Sequence, residues 1–259
     1  MEISTFLMKH VSQNDFCKVH ALDAPVAYHL HRKIIEQKPL LKETYLFYFK
    51  ELLRDIEPRA GKKILEIGAG AYNTDEAEPG IITSNLALND YIKVVVDARK
   101  IPFSDGSLDG IVMINTMHHI PTARPFFSEV SRTLKKGGVL AMVEPYFSPM
   151  GKVVWKYLHH EPVLDTPPDW TIPHGLTANQ TMPYHIFIRD RKVFEKDFPK
   201  LKIQRISPHT CLPHLLSGGI SYRCLVPDSM KGLVWSFEKL FAPLKNIHSL
   251  FMTVVVEKT

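Results

Sequence analysis

A short apolar run ends in a glycine-rich turn between residues 64 and 70. The sequence there reads ILEIGAG, with Glu66 inside the run and Gly68 and Gly70 at its end. A run of β-branched and apolar residues is typical of a buried strand. Glycine lacks a Cβ, so the backbone of the turn can adopt a positive φ and lie directly against a ligand. The segment therefore predicts a turn that holds a nucleotide-like ligand.

Three further blocks follow this turn in the chain. Residues 93–103 read KVVVDARKIPF, residues 105–120 read DGSLDGIVMINTMHHI, and residues 134–145 read LKKGGVLAMVEP. In this order, the glycine turn and the three blocks resemble the class I S-adenosylmethionine-dependent methyltransferases. The resemblance is specific over residues 60–145, and the rest of the chain resembles the family only in general architecture. A nicotinamide-binding protein is one alternative, but GxGxxG would need a third glycine where this chain has Asn73.

The resemblance implies S-adenosylmethionine as the cofactor. In the family, an acid at the position of Glu66 contacts the methionine amino end, and the glycine turn passes beside the ribose and amino-acid portion. Asp97 and Ala98 match an acid-small pair that lies beside the adenine amino group. The residues implied to bind the cofactor are Glu66, Gly68, Ala69, Gly70, Asn85, Leu86, Asp97, Ala98, Asn115 and Thr116.

Two positions depart from the family pattern. Tyr72 replaces the usual third glycine, so either the turn is wider or the tyrosine caps the pocket. Asn85 lies in the stretch where the family has an acid that accepts both ribose hydroxyls. Its neutral amide oxygen weakens that contact by about 1 kcal/mol, the difference between a charged and a neutral hydrogen bond. We therefore expect weaker cofactor binding than an acid would give.

The chemistry that the resemblance implies is an in-line displacement, in which an acceptor oxygen, nitrogen or carbon attacks the sulfonium methyl. Such a reaction needs positioning and the exclusion of water, and a base if the nucleophile is a hydroxyl or an acidic carbon. The sequence does not choose the base. The candidates are His118, His119, Glu144 and His160, with Tyr146, His159 and Glu161 also within reach. Adjacent histidines rarely chelate one ion together and no HExxH spacing occurs, so we expect no metal site.

Short apolar runs separated by polar turns or helical stretches position these residues. Seven candidate strands cover residues 64–67, 81–83, 93–96, 110–114, 139–143, 201–206 and 251–257. This alternation predicts an α/β fold: a Rossmann-like, seven-stranded, mostly parallel sheet flanked by helices. The resemblance implies that the last strand is antiparallel. An amphipathic helix is predicted from residue 123 to residue 134, ending at the Lys-Lys-Gly-Gly of residues 135–138.

We expect two regions along the chain. Residues 1–60 form a helical N-terminal segment, and residues 61–259 form a methyltransferase domain with an insertion at 147–190. Six prolines and several aromatic residues stiffen this insertion and forbid regular helix over most of it. It follows the fifth strand, where it would cover the ligand-binding edge of the sheet as a substrate lid; the alternative is a structural flap.

Composition excludes several classes of protein. With 259 residues, 45% of them apolar, the chain can form a substantial core, which excludes a disordered or fibrous protein. Three distant cysteines without CxxC spacing indicate neither a disulfide framework nor a cysteine zinc site, and favour a reduced, cytoplasmic protein. The apolar stretch at residues 3–8 is too short for a signal peptide or a membrane span. The net charge of +5 forms no basic stripe, so nucleic acid is not an expected partner.

The tail contains a predicted amphipathic helix that ends before Pro243, with Leu233, Phe237 and Phe241 in its apolar stripe. Either this stripe packs on its own domain or it makes a peripheral contact with a membrane or a lipid-like substrate. The sequence thus predicts methyl transfer from S-adenosylmethionine to a small-molecule or lipid-linked acceptor. A catalytically silent cofactor-binding or scaffold protein and a peripheral membrane-binding module remain open alternatives.

Overall fold

The fold is built on one seven-stranded sheet with the order β3-β2-β1-β4-β5-β7-β6. The computed structural model describes residues 25–56, 60–165 and 169–259, so the prediction for residues 1–24, including Cys17, lies outside the described residues. The strands are β1 (Ile64–Ile67), β2 (Ile82–Asn85), β3 (Val94–Val95), β4 (Leu108–Ile114), β5 (Leu134–Pro145), β6 (Leu201–His209) and β7 (Phe251–Lys258). Strand β7 is antiparallel to both β5 and β6, and the other pairs are parallel. The predicted fold class is confirmed.

Helices cover both faces of this sheet. They are α1 (Pro25–Gln37), α2 (Pro39–Leu53), α3 (Ala123–Thr133), α4 (Pro149–Tyr157), α5 (Met182–Tyr184), α6 (Arg191–Asp197), α7 (Leu212–Ser217), α8 (Lys231–Leu240) and α9 (Lys245–His248). All four residues of β1 are buried, as expected for a strand with both faces covered. On one face, Phe126, Phe127 and Val130 of α3 join the main core.

Helix α2 packs beside the segment that follows β1. Between β1 and β2 the described chain has only the short 3₁₀ turn Thr74–Glu76, capped by Asn73, whose side chain accepts from the Asp75 N–H. Phe49 of α2 stacks on Tyr72, with ring centroids 5.8 Å apart. The N-terminal segment therefore supplies the apolar cover beside the glycine turn.

Two predicted helix boundaries need correction. Helix α3 ends at Thr133, and β5 begins at Leu134, so Lys135 to Gly138 belong to the strand and not to a helix end. The register between β4 and β5 shifts at this point. The insertion at 147–190 begins with the regular helix α4, because Ser148 caps it and Pro149 occupies its first turn, where a missing N–H costs nothing.

The insertion contributes both to the core and to the edge of the sheet. Trp170 is fully buried among the aromatic rings of Phe127 and Phe194, so this part has the structural role of a flap. Its neighbouring residues reach the loop after β4, where the Asn179 N–H donates to the His118 carbonyl at 2.8 Å. The insertion therefore covers the carboxyl end of β4.

The apolar stripe of α8 is mostly exposed. Only Val234 is buried, although Trp235 packs on Phe47 with ring centroids 5.5 Å apart. The expectation that the whole stripe packs on its own domain is not met by the described residues. No helix among the described residues is both long and apolar enough to cross a bilayer.

Candidate functional site

The glycine turn, residues 68–70, leaves β1 in the conformation that its sequence predicts. Gly68 has φ +75°, and a Cβ there would lie 2.1 Å from the Thr116 side-chain oxygen. Only glycine fits this position, because a side chain would overlap the loop after β4. A Cβ on Gly70 would instead meet no heavy atom within 4 Å, so open space lies beside the end of the turn.

Strand β2 holds the glycine turn in place. The Ala69 N–H donates to the Ser84 carbonyl at 2.8 Å, and the Asn85 side-chain amide donates to the Ala69 carbonyl at 3.0 Å. The Asn85 side-chain oxygen accepts the Leu86 N–H at 2.7 Å. Asn85 therefore stabilises the turn, a role that the sequence did not predict for it.

Glu66 is a buried carboxyl group at the base of the turn. Its Oε2 atom accepts hydrogen bonds from both the backbone N–H and the hydroxyl of Thr74. Burial outweighs these bonds and raises the pKa of Glu66 to about 7. A cationic ligand group would favour the ionised form, so Glu66 fits the amino end of the implied cofactor.

A second acceptor lies at the end of β4. Asn115 has φ +48°, and its buried side-chain oxygen has no hydrogen-bond partner among the described residues. A buried polar atom without a partner costs free energy, so such an atom points to a bound ligand or water. Asn115 and the adjacent Thr116, which touches the turn, fit the cofactor-binding role that the resemblance implies.

The remaining residues predicted to bind the cofactor differ in their exposure and in the hydrogen bonds that they already make. Asp97 accepts two side-chain hydrogen bonds from Arg99, at 3.0 and 2.8 Å, which lower the pKa of its carboxyl group. Ala98 is buried, whereas the Leu86 side chain is 65% exposed. Tyr72 packs against α2, and this packing accounts for a large residue where the family has glycine.

Across the loop after β4, a second group of side chains surrounds the buried carboxylate of Glu144. Its Oε1 accepts the backbone N–H groups of Thr116 at 2.8 Å and Met117 at 2.7 Å. Its Oε2 lies 2.7 Å from His118 Nδ1. Glu144 at the end of β5 thus fixes the 3₁₀ turn Met117–His119 and orients one of its imidazoles.

His118 lies between two carboxylates. Its Nε2 is 3.3 Å from Glu161 Oε2, and Glu161 belongs to the insertion. Burial alone would lower the pKa of His118, but Glu144 and Glu161 together raise it to about 9. His118 is therefore protonated at neutral pH. In turn, hydrogen bonding and charge from His118 overcome burial and hold the pKa of Glu161 well below its usual range.

His119 faces the other oxygen of Glu161. Its Nε2 lies 3.4 Å from Glu161 Oε1, and its Nδ1 lies 3.2 Å from the Thr177 carbonyl oxygen. Burial and the charge of His118 lower the pKa of His119, so it is unprotonated at neutral pH. We call His118, His119, Glu144 and Glu161 the histidine–carboxylate cluster.

The other candidate bases lie at its edge or apart from it. His160 Nε2 is 4.0 Å from Glu161 Oε1, and the His160 ring stacks on His159. Burial lowers the pKa of both, that of His159 to about 3. Tyr146 packs on Tyr184 instead, with ring centroids 6.0 Å apart.

One residue of the cluster's surroundings was missed by the sequence reasoning. The Gln180 side-chain amide donates to Glu161 Oε2 and lies 3.4 Å from His118 Nε2, and its buried oxygen has no partner among the described residues. No local pattern identifies Gln180, because it is one polar residue in an irregular segment. Its role depends on how the insertion folds back.

Comparisons with known proteins agree with this fold. The family model for the methyltransferase domain matches residues 62–142. A sterol 24-C-methyltransferase of Gibberella zeae is 32% identical over 92 residues, which are 35% of this chain and 24% of that protein. The chain thus spans about a quarter of the length of the curated relative that it matches.

One solved structure extends the likeness in fold beyond that domain. Geranyl diphosphate C-methyltransferase from Streptomyces coelicolor, solved with Mg²⁺, geranyl diphosphate and S-adenosyl-L-homocysteine, matches with a TM-score of 0.50 and 15% identity. The match covers 93% of this chain and 89% of that one. A phosphoethanolamine N-methyltransferase from Haemonchus contortus matches with a TM-score of 0.49 and 14% identity, over 96% of this chain and 61% of that one. The resemblance to class I methyltransferases predicted from the sequence is confirmed.

Proposed function

We propose that this protein transfers a methyl group from S-adenosylmethionine to a small-molecule or lipid-linked acceptor by in-line displacement. The observation that carries the proposal is that Glu144 joins two sites. It accepts the N–H of Thr116, whose side chain packs on Gly68, and it also orients His118. A cofactor at the glycine turn and an acceptor at the cluster would therefore lie on the two sides of one rigid loop.

S-adenosylmethionine, when bound, supplies a methyl group on a positively charged sulfur. Glu66 and Asn115 would accept hydrogen bonds from its amino end, because Glu66 is buried and Asn115 has an unsatisfied oxygen. The open space beside Gly70 leaves room for the backbone to contact the ligand. The exposed Leu86 side chain offers apolar surface to an adenine ring.

In this proposal His119 accepts the proton of an acceptor hydroxyl or acidic carbon. It has the lowered pKa that leaves it unprotonated at neutral pH, and its side chain is 26% exposed, so a ligand can reach it. Glu161 would stabilise the imidazolium that forms. His118 is already protonated and fully buried, so His118 and Glu144 would position Glu161 and the loop. His160 would line the rim.

The insertion would exclude water from the reacting groups. Asn179 ties it to the loop after β4 through the His118 carbonyl, and the Asn179 side chain accepts the Leu164 N–H at 3.1 Å. A methyl displacement depends on such positioning more than on covalent chemistry by the protein. The insertion therefore acts as a substrate lid in this proposal.

Calorimetry with S-adenosylmethionine and S-adenosylhomocysteine, with NADH as the control, tests the cofactor. Saturable binding of the first two is expected, and Glu66→Gln should weaken it. Transfer of a radiolabelled methyl group to small-molecule and lipid extracts then tests the reaction. NADH binding alone would indicate an oxidoreductase, and cofactor binding without transfer to either extract would favour the catalytically silent alternative.

We also propose peripheral membrane contact through an apolar patch at the C-terminal helices. Six large side chains there are each 43–67% exposed: Leu233, Phe237, Leu240, Phe241, Leu244 and Ile247. Lys239 and Lys245 are exposed among them, so an anionic lipid surface is the occupant with matching chemistry. Helix α7 lies between α8 and the insertion: the Leu212 N–H of α7 donates to Glu238 of α8 at 2.9 Å, and His214 of α7 contacts Trp155 of α4 at a ring distance of 6.5 Å.

Vesicle co-sedimentation tests this contact. Wild type should bind vesicles containing phosphatidylglycerol more tightly than those of phosphatidylcholine alone, and Phe237→Ser/Leu240→Ser should lose most of the binding. The matched control is Val153→Ser/Ile188→Ser, which removes two exposed apolar side chains elsewhere. Equal loss in both double variants, or no binding by wild type, would contradict the proposal.

A further inference from the structure

Two adjacent imidazoles present the same ring nitrogen to one carboxylate. His118 Nε2 lies 3.3 Å from Glu161 Oε2, and His119 Nε2 lies 3.4 Å from Glu161 Oε1. In both histidines the other nitrogen, Nδ1, is engaged by an oxygen: Glu144 Oε2 for His118 and the Thr177 carbonyl for His119. Imidazoles held in this way by a carboxylate or a carbonyl at one nitrogen are typical of metal ligands.

The tautomer of His119 follows from its partner. A carbonyl oxygen accepts but cannot donate, so Nδ1 must carry the hydrogen that bonds to Thr177. In neutral His119 the Nε2 atom then has a lone pair, which faces the carboxylate oxygen of Glu161. Two acceptors that face each other repel unless a proton or a cation lies between them.

The spacing fits a cation. Around an ion with tetrahedral bonds of about 2.0–2.1 Å, neighbouring ligand atoms lie about 3.3–3.4 Å apart. Both contacts between the imidazoles and Glu161 have this spacing, which is longer than a strong charge-assisted hydrogen bond of about 2.7–2.9 Å. One ligand atom from each of His118, His119 and Glu161 lies within 4.8 Å of the others. The two contacts reach different oxygens of Glu161, so the three ligand atoms surround one ion only after their longest separation closes by up to about 1.4 Å.

We propose that His118 Nε2, His119 Nε2 and the Glu161 carboxylate bind a divalent cation of the zinc type, which displaces the proton from His118 Nε2, with Glu144 orienting His118 from behind. Two imidazoles and one carboxylate are a donor set that suits Zn²⁺, Co²⁺ or Fe²⁺ better than Mg²⁺. Three protein ligands leave a coordination position open. This open position would face solvent on the side where His119 and Glu161 are accessible. Their side chains are 26% and 14% exposed.

The open position gives the ion a role in the reaction. An acceptor hydroxyl bound there would lose its proton more readily, because a Lewis acid lowers the pKa of a coordinated oxygen. The released proton would pass to solvent at the accessible side of the cluster, because the ion would occupy the His119 lone pair that otherwise accepts it. This role rests on the proposed methyl transfer, whereas the binding of the ion does not.

Cobalt titration of the 259-residue chain tests the binding without any cofactor or acceptor. Purified metal-free protein should bind one Co²⁺ with visible absorption bands of a four- or five-coordinate site, and Zn²⁺ should displace it. His119→Asn and Glu161→Gln should each weaken Co²⁺ binding by more than about tenfold, and Glu144→Gln by about 10–100-fold. His174→Asn, a change at an exposed histidine outside the cluster, should leave it unchanged.

Circular dichroism on the same variants shows whether they are folded, and S-adenosylmethionine calorimetry on them tests the cofactor separately. Folded wild type that binds no Co²⁺ would overturn the proposal, as would Co²⁺ binding that survives in folded His119→Asn and Glu161→Gln. Failure of the proposed methyl transfer is a different result: Co²⁺ would bind as expected while S-adenosylmethionine would not.

Discussion

The glycine turn and the histidine–carboxylate cluster lie on opposite sides of one loop but are built in different ways. The turn is local: Glu66, Gly68 and Gly70 are within five residues, and β2 holds them through backbone bonds. The cluster joins the loop after β4, the end of β5 and the irregular insertion, so His118 meets Glu161 across 43 residues of sequence.

Their electrostatics differ as well. At the turn, a single buried carboxyl group is neutral or ionised according to pH, since burial raises the pKa of Glu66 to about 7. In the cluster, the protonated imidazole of His118 lies beside Glu161 and keeps this carboxyl group ionised. The comparison teaches that a lone buried carboxyl group changes charge near neutral pH, whereas a carboxyl group paired with a protonated imidazole stays ionised.

The largest expected effect separates catalysis from cofactor binding. His119→Asn should lower kcat by about 10²–10⁴-fold, the usual contribution of a general base. The S-adenosylmethionine Kd should change by less than about threefold, because the glycine turn is intact. Steady-state kinetics with calorimetry measure both quantities, and His174→Asn is the control. A parallel loss of cofactor affinity would show that the two sites are not separable.

Glu66→Gln should change how stability depends on pH. Because the folded chain holds the Glu66 proton more tightly than the unfolded chain, wild-type stability should fall as pH rises from the ordinary pKa of 4.5 through about 7. The glutamine variant lacks this decline, so its relative stability should increase by up to about 3 kcal/mol above pH 7. Urea unfolding at pH 5 and pH 8 measures the difference. If the free energy of unfolding of wild type and of Glu66→Gln depended on pH in the same way, burial would not raise the pKa of Glu66.

Two alanine substitutions compare the packed and open ends of the turn. Gly68→Ala should destabilise the fold by about 1–3 kcal/mol, since its Cβ overlaps Thr116 at a positive φ. Gly70→Ala should change stability by less than about 0.5 kcal/mol. It should nevertheless weaken cofactor binding by about tenfold, a loss of about 1.4 kcal/mol, if a ligand occupies the open space. Thermal unfolding and calorimetry distinguish the two, and unchanged binding by Gly70→Ala would place the ligand elsewhere.

The smallest effect is expected at Asp97. Arg99 already engages its exposed carboxylate, so Asp97→Ala should lower cofactor affinity by less than about threefold, in line with the small contribution of exposed ion pairs. Calorimetry measures this. A loss of cofactor affinity above about tenfold would mean that the Asp97 carboxylate breaks its ion pair with Arg99 and contacts the cofactor itself.

The sequence by itself determined the sheet, the glycine turn and the position of the two histidines. Strand runs and a positive φ at Gly68 are set by neighbouring residues, and the Met117–His119 turn directly follows a predicted strand. The predicted strand count agrees with the structure, and so does the antiparallel last strand, which the resemblance to the methyltransferases implied. The predicted end of α3 at residue 134 is wrong, because pairing with β4 extends β5 back to Leu134 and overrides the local helix signal.

Only the tertiary structure decided which of seven candidate bases meet. Glu161 joins His118 and His119 because the insertion folds back on the β4 loop, and no periodic pattern encodes that fold in an irregular segment. The sequence predicts no metal site, on the argument that adjacent histidines rarely share an ion. The contact of Glu161 with both imidazoles, which only the tertiary structure shows, is the observation from which we propose a metal site.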